Sequence, residues 1–186
     1  MKFFKKTFFG LALIIVLLFL LRNWLFWQLL SYQSIGTRTE YQIENSDLRN
    51  YIENNLPHAR LHSPQAVMRS ALQLSARNLH FTAQHNDIDP NLLINSHRAH
   101  CIGYANFTST VCNELLKKYG LAGDWKAESH RGQIHFLGIN IHPYFHSPFF
   151  RDHDFVVLKN RKTGEVLATD PTVYDYLRIT FIRVKK

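Results

Sequence analysis

The chain has 186 residues, with 22 Lys and Arg against 14 Asp and Glu, for a formal charge of +8. That length suits one ordinary domain with an appendage, and a hydrophobic content of 46% excludes a wholly disordered chain. Lys2, Lys5, Lys6 and Arg22, all near the N-terminus, account for half of the basic excess. The charge therefore does not point to a nucleic-acid partner.

Residues 1–30 carry the pattern of a membrane anchor. Thr7 to Leu21 holds no charge and is almost entirely apolar. Fifteen helical residues reach only roughly 22 Å against a hydrocarbon core of about 30 Å. The apolar pattern resumes after Arg22 with Trp24, Leu25, Phe26, Trp27, Leu29 and Leu30. Arg22 can snorkel, and the tryptophans suit an interface. The basic stretch Met1 to Lys6 resembles the start of a signal sequence, yet no small-x-small cleavage site follows the apolar run. The expectation is an uncleaved, single-pass signal anchor. Its lysines keep the N-terminus cytoplasmic, and the chain from about Ser31 faces the periplasm or the cell exterior.

Residues 31–45 are polar without a clear period and read as a linker. Residues 46–186 read as one α+β domain, helices first and antiparallel strands after. Ser46 and Asp47 open a short helix to about Leu56. Ser63-Pro64 is a stronger start, an N-cap followed by proline, with Val67, Ala71, Leu74 and Leu79 on one face. His85 to Asn91 reads as a polar loop. Cys101 to Tyr119 reads as the next helix, with Lys117 and Lys118 in its last turn and Gly120 just beyond. Strands are expected over Gln133–Ile141, Asp154–Lys159, Glu165–Asp170 and Leu177–Val184. Asn160 to Gly164 makes a hairpin turn between the second and third.

Cys101 and Cys112 are the two cysteines. Eleven positions of helix separate them by roughly 16 Å, beyond the ~7 Å limit for a disulfide. Cys112 reads as a small buried hydrophobe. Cys101 stands where its helix begins, a position that favours a thiolate. A thiol nucleophile needs an imidazole, and the imidazole an orienting acceptor. If Asn160 closes the hairpin against Thr163, His153 falls opposite Asp170; a bulge at Gly164 shifts that register by one.

These residues carry a family resemblance. Cys101-Ile102-Gly103-Tyr104-Ala105, opening a helix, looks like the nucleophile motif of the transglutaminase-like superfamily. His153-Asp154-Phe155 on a strand is similar to its His-x-aromatic element, and Asp170-Pro171-Thr172 resembles its Asp-Pro-Thr element. The match spans about Asn95 to Tyr176. It implies a papain-like core of helices packed on an antiparallel sheet. It also implies a cysteine-nucleophile hydrolase or acyltransferase acting on amide or peptide bonds, with a protein, peptide or cell-wall substrate and no cofactor. Cys101 would attack an acyl carbon, His153 would act as base and then acid, and Asp170 would orient it. The Cys101 N–H would help hold the oxyanion, with Asn95 the side chain named for the same task. The long aromatic and His-rich stretch Gly123 to Arg151 departs from the family pattern.

Other readings stay open. The same fold can be a catalytically idle binding or structural protein at the membrane. The histidines offer a metal set in His97, His100 and Cys101, or in His142 and His146. His58, His62, His80, His85 and His130 read as surface or loop histidines. Tyr144, Phe145, Phe149 and Phe150 read as a packed loop, with an apolar lip over the thiol as the alternative.

Overall fold

The computed structural model describes residues 2–57 and 59–185, and their side chains except at positions 2–9, 12 and 148. His58 and the side chains of the basic segment Met1–Lys6 lie outside the described residues. The chain is α+β, with seven α-helices and an antiparallel sheet among the described residues.

Two helices, α1 (Lys2–Leu20) and α2 (Arg22–Leu29), lead into the first strand. Every apolar side chain described from Leu13 to Leu21 is exposed, at 41–69%. Among the described residues no helix is long and apolar enough to cross a membrane. The side chains of Thr7–Phe9 and Ala12, which belong to the expected apolar run, lie outside that set. Arg22 is the first residue of α2, donating to Phe19 O (2.8 Å) and to Leu177 O (2.9 Å).

The expected linker is a correction. Leu30–Thr37 is strand β1, antiparallel to β4 (Trp125–Phe136) from Leu30↔Phe136 to Thr37↔His130. Polar residues face solvent along this outer strand, which masks its period in the sequence, but Tyr32 is fully buried. The folded unit therefore begins at β1 and not at residue 46.

Helix α3 (Ser46–Asn54) is capped one residue earlier than expected, by Asn45 accepting from the Asp47 N–H (2.7 Å). Helix α4 (Pro64–Asn78) starts as expected, with Ser63 accepting from the Ala66 N–H. The expected loop at Pro90 is a helix, α5 (Pro90–Ser96), with Asp89 as its N-cap. Short strands β2 (His80–Phe81) and β3 (Arg98–Ala99) pair in parallel on either side of α5. Helix α6 (Cys101–Lys118) follows at once. Gly120 takes a positive φ of 74°, with Gly120 N–H to Lys117 O and Leu121 N–H to Leu116 O closing the helix end. Every residue of α6 from Gly103 to Cys112 is buried, so it is a central pillar rather than an amphipathic surface helix.

The main sheet runs β1-β4-β6-β7, where β6 is His153–Asn160 and β7 is Val166–Thr169. Strand β4 starts eight residues before the expected Gln133 and ends at Phe136. The Leu137–Ile139 alternation that read as strand is a two-residue turn, with positive φ at Leu137 (49°) and Gly138 (88°), into the short β5 (Ile139–Asn140). The expected last strand is also corrected. Asp170 caps and Pro171 begins helix α7 (Pro171–Leu177). Beyond it the chain makes one bridge, Tyr32↔Val184. This tail bonds both outer strands, with Ile182 N–H to Ala168 O on β7 and Tyr32 N–H to Arg183 O on β1. The tail thereby links the two outer strands. One core joins the sheet and the helices; a smaller one is formed by Tyr32, Phe155, Val157, Ala168 and Ile182.

Gly132 on β4 pairs with His153 on β6, and a Cβ there would meet the Phe155 ring and lie 2.9 Å from Gln33 O. Gly132→Ala is expected to lower stability by about 1–3 kcal/mol through overpacking, measured by chemical denaturation.

Candidate active site

The site forms where the N-terminus of α6 meets one end of the sheet. Cys101 is the first residue of α6, and its side chain is almost fully buried. His100 is the N-cap residue but makes no capping bond with its side chain. The His100 and His153 imidazoles and the Asp154 main-chain N–H are the groups that favour a thiolate at Cys101. Burial pushes the Cys101 thiol up. Hydrogen bonds from His100 and His153, the His153 charge and the Asp154 N–H outweigh it and bring the thiol down to about 7. Cys112 has no such partners, and burial alone pushes it up to about 12. Both thiols are free.

His153 Nε2 lies 2.6 Å from Asp170 Oδ2. Nε2 is thus committed, and Nδ1 is the nitrogen left to face the sulfur. Burial pushes the imidazole down, but the Asp170 carboxylate and the thiolate hold it well above its ordinary value. Asp170 is fully buried, and every bond it makes favours the charged form. Its Oδ2 accepts from the Tyr32 hydroxyl (2.8 Å) as well as from His153. Its Oδ1 accepts the Thr172 and Val173 N–H groups at the start of α7 (3.0 and 3.1 Å). Burial raises the carboxyl, yet His153, Tyr32 and the Val173 N–H leave it below the usual carboxylate range.

The sequence reading and the structure reach the His153–Asp170 contact by different registers. A two-residue turn placed the pair directly opposite. The hairpin instead has four loop residues, because Asn160 Oδ1 accepts the Lys162 and Thr163 N–H groups and the Asn160 N–H bonds Glu165 O. Pairing runs Lys159↔Val166 to Val156↔Thr169, displaced by two. A shift of two preserves the face of a strand, so the pair remains diagonal neighbours within side-chain reach.

Three further groups belong to the site. Tyr32 and Arg38 both come from the segment read as a linker, and His100 from a possible metal set. The Tyr32 ring packs edge-on against Phe155 (5.4 Å) and beside His153 (6.1 Å). Arg38 makes a bidentate pair with Asp154, at 2.7 and 2.9 Å, and Asp154 is fully buried. That pair holds β6 at Asp154, next to His153. Only the adjacency of His100 to Cys101 was available to sequence reasoning; Tyr32 and Arg38 had no local signal. Asn95 is not brought in: it is exposed on α5 and does not line the cavity beside Cys101.

Among the described residues no group of three or more His, Cys, Asp or Glu is gathered as a metal set. His97 Nδ1 lies 3.1 Å from both carbonyl oxygens of Asn78. His142 accepts the Ile134 N–H at Nε2 (2.8 Å), so its Nδ1 donates to Phe150 O (2.6 Å).

The aromatic stretch is an open wall rather than a packed loop. Tyr144 is 73% exposed and Phe150 47%. Phe145, Phe149 and Phe150 line a cavity of about 320 Å³ that has Cys101 and His153 at one side. Each lies on a segment held at both ends by His142.

Iodoacetamide is expected to label one thiol per native chain, at Cys101, with a midpoint near pH 7. In His153→Ala burial goes less opposed, and the midpoint should rise towards or above the ordinary ~8.5. Peptide mapping across a pH series reads both. Asp170→Ala should cost about 3 kcal/mol or more at pH 7, combining a lost helix cap with stranded Tyr32 and His153 donors. Because the folded carboxyl titrates below its unfolded value, its stabilisation is present above pH ~4 and lost as pH falls further. Denaturant titrations at several pH values should show this acid dependence weakened in Asp170→Ala.

Comparison of the chain with protein-family models, with curated proteins and with solved structures gives no match, so the functional reading rests on the site's own geometry.

Proposed function

We propose that this chain is a membrane-anchored thiol hydrolase or acyltransferase acting on amide or peptide bonds through Cys101, His153 and Asp170. The observation that carries the reading is the relay Asp170–His153–Cys101. A fully buried carboxylate lies 2.6 Å from one imidazole nitrogen, and that imidazole lines the same cavity as a thiol at a helix N-terminus and favours its thiolate. The transglutaminase-like resemblance, and the papain-like core that goes with it, draw support from the order of a helix start holding Cys101, a strand holding His153 and a strand-to-helix junction holding Asp170.

The chemistry follows from the pairing. The Cys101 thiolate attacks the acyl carbon, forming a C–S bond. The developing oxyanion is met by the Cys101 N–H, one of the main-chain donors that the first turn of α6 leaves without helical partners. The His153 imidazolium donates its Nδ1 proton to the departing amine as the C–N bond breaks. The imidazole then takes a proton from water, or from an acceptor amine, as that nucleophile attacks the thioester; the C–S bond breaks and its electron pair returns to Cys101 as the thiolate. Asp170 keeps Nε2 protonated and the ring fixed throughout. An idle site would have its aromatic wall against the thiol; here the wall bounds a cavity beside it.

The location follows from α1 and α2. Helix α1 exposes apolar side chains around its described length, which water does not favour. In this reading it anchors the chain in a membrane, with its N-terminus cytoplasmic and the α+β domain in the periplasm or outside the cell.

The test uses the full chain in lipid nanodiscs with 4-nitrophenyl acetate, followed by intact-mass detection of an acetyl thioester. Adduct on Cys101 is expected in the wild type and none in Cys101→Ala. Acylation should fall about 100-fold or more in His153→Ala, with both variants keeping their thermal unfolding transitions. Undiminished acylation in His153→Ala would sink the activated-pair reading and leave an idle fold.

A further inference from the structure

The cavity beside Cys101 has few polar groups in a mostly apolar lining. Cys101, His153 and Thr172 are among its polar groups, and the Thr172 hydroxyl is buried without a hydrogen-bond partner. Its apolar lining is Phe81, Ile134, Ile141, Phe145, Phe149 and Phe150. The remaining polar lining offers a ligand little. His142 spends both nitrogens on main-chain groups. Asp152 lies 3.9 Å from Arg131.

The aromatic side is a built surface. Phe149 meets Phe81 edge-on at 6.3 Å and Phe150 at 5.0 Å, and Phe145 lies 5.1 Å from Phe150. Tyr176 on α7 meets the other side of Phe81 at 6.3 Å. Four elements therefore contribute: β2, the end of β4, the 142–150 segment and α7. Phenylalanines left half exposed around a cavity are an unfavourable arrangement in water alone, and an apolar occupant relieves it.

Resting on the proposed thiol chemistry, we infer that the group Cys101 accepts is an apolar acyl group, whose hydrocarbon part fills the Phe-lined cavity while its carbonyl carbon is held at the Cys101 sulfur. The acyl carbon joins the Cys101 sulfur as the bond to the leaving group breaks, and the leaving group departs with the electron pair. Either a straight hydrocarbon chain or a hydrophobic aromatic side chain provides such a group, and the cavity recognises what they share.

The experiment compares 4-nitrophenyl esters of acetate, hexanoate and 3-phenylpropanoate on the full chain in nanodiscs. Each rate of Cys101 acylation is divided by that of glutathione in the same nanodisc suspension, which removes intrinsic reactivity and lipid partitioning. Both larger esters are expected to exceed acetate by about tenfold or more, as burial of several methylenes permits. A preference for only one of them identifies the source of the acyl group. In Phe150→Asp and Phe145→Asp the ratio to acetate should fall towards one. Similar ratios for all three esters, with Cys101 still alkylated near pH 7, would overturn the acyl cavity and leave the nucleophile standing. Absence of any thioester, together with a normally titrating thiol, would overturn both readings.

Discussion

The site depends on one buried charge. Asp170 is wholly enclosed, and a carboxylate is costly to remove from water unless its oxygens are met by donors. Four donors meet it here: Tyr32 and His153 on one oxygen, the Thr172 and Val173 N–H groups on the other. These come from the first strand, a central strand and the last helix. A single carboxylate thus ends β7, starts α7, ties in β1 and fixes the imidazole. Satisfying the charge and assembling the site are the same event.

The thiol shows how position governs chemistry within one helix. Cys101 and Cys112 are both buried in α6. Cys112 has only burial acting on it and is held as a neutral thiol. Cys101 occupies the first turn, where main-chain N–H groups lack helical partners and two imidazoles and the Asp154 N–H favour the thiolate. Arg38 supports that arrangement from a distance. Its pairing with the buried Asp154 secures β6 next to His153.

Contacts join α1 and α2 to elements that border the site. Arg22, at the junction of α1 and α2, bonds the carbonyl of Leu177 where α7 ends, and the Leu137 N–H at the β4–β5 turn bonds Leu29 O. Phe26 of α2 stacks near Tyr32 at 6.5 Å. The proposed anchor is therefore attached to elements that border the site rather than to the far side of the helical layer. The proposed anchor and the proposed apolar acyl cavity are physically coherent in that arrangement, since a membrane would concentrate apolar substrates beside the site.

Much of the site was legible in the sequence because its signals are local. Ser63-Pro64, Gly120 and the Asn160–Gly164 turn each act on residues within a turn of themselves, and Cys101, His153 and Asp170 stand at element ends that such signals mark. The parity of a strand also survives a register error of two, which is why His153 and Asp170 could be paired from the wrong turn. Asp170-Pro171 was equally a helix start, and reading it only as a chemical motif hid α7. What tertiary structure decided is every contact across long stretches of chain. Tyr32 meets Asp170 over 138 positions and Arg38 meets Asp154 over 116. An outer strand with polar residues facing water has no period that separates it from a linker, so β1 was invisible until β4 paired with it. Residue types and local caps determined which groups were present and on which elements. Only burial, which makes an unpaired charge intolerable, determined which of them had to meet.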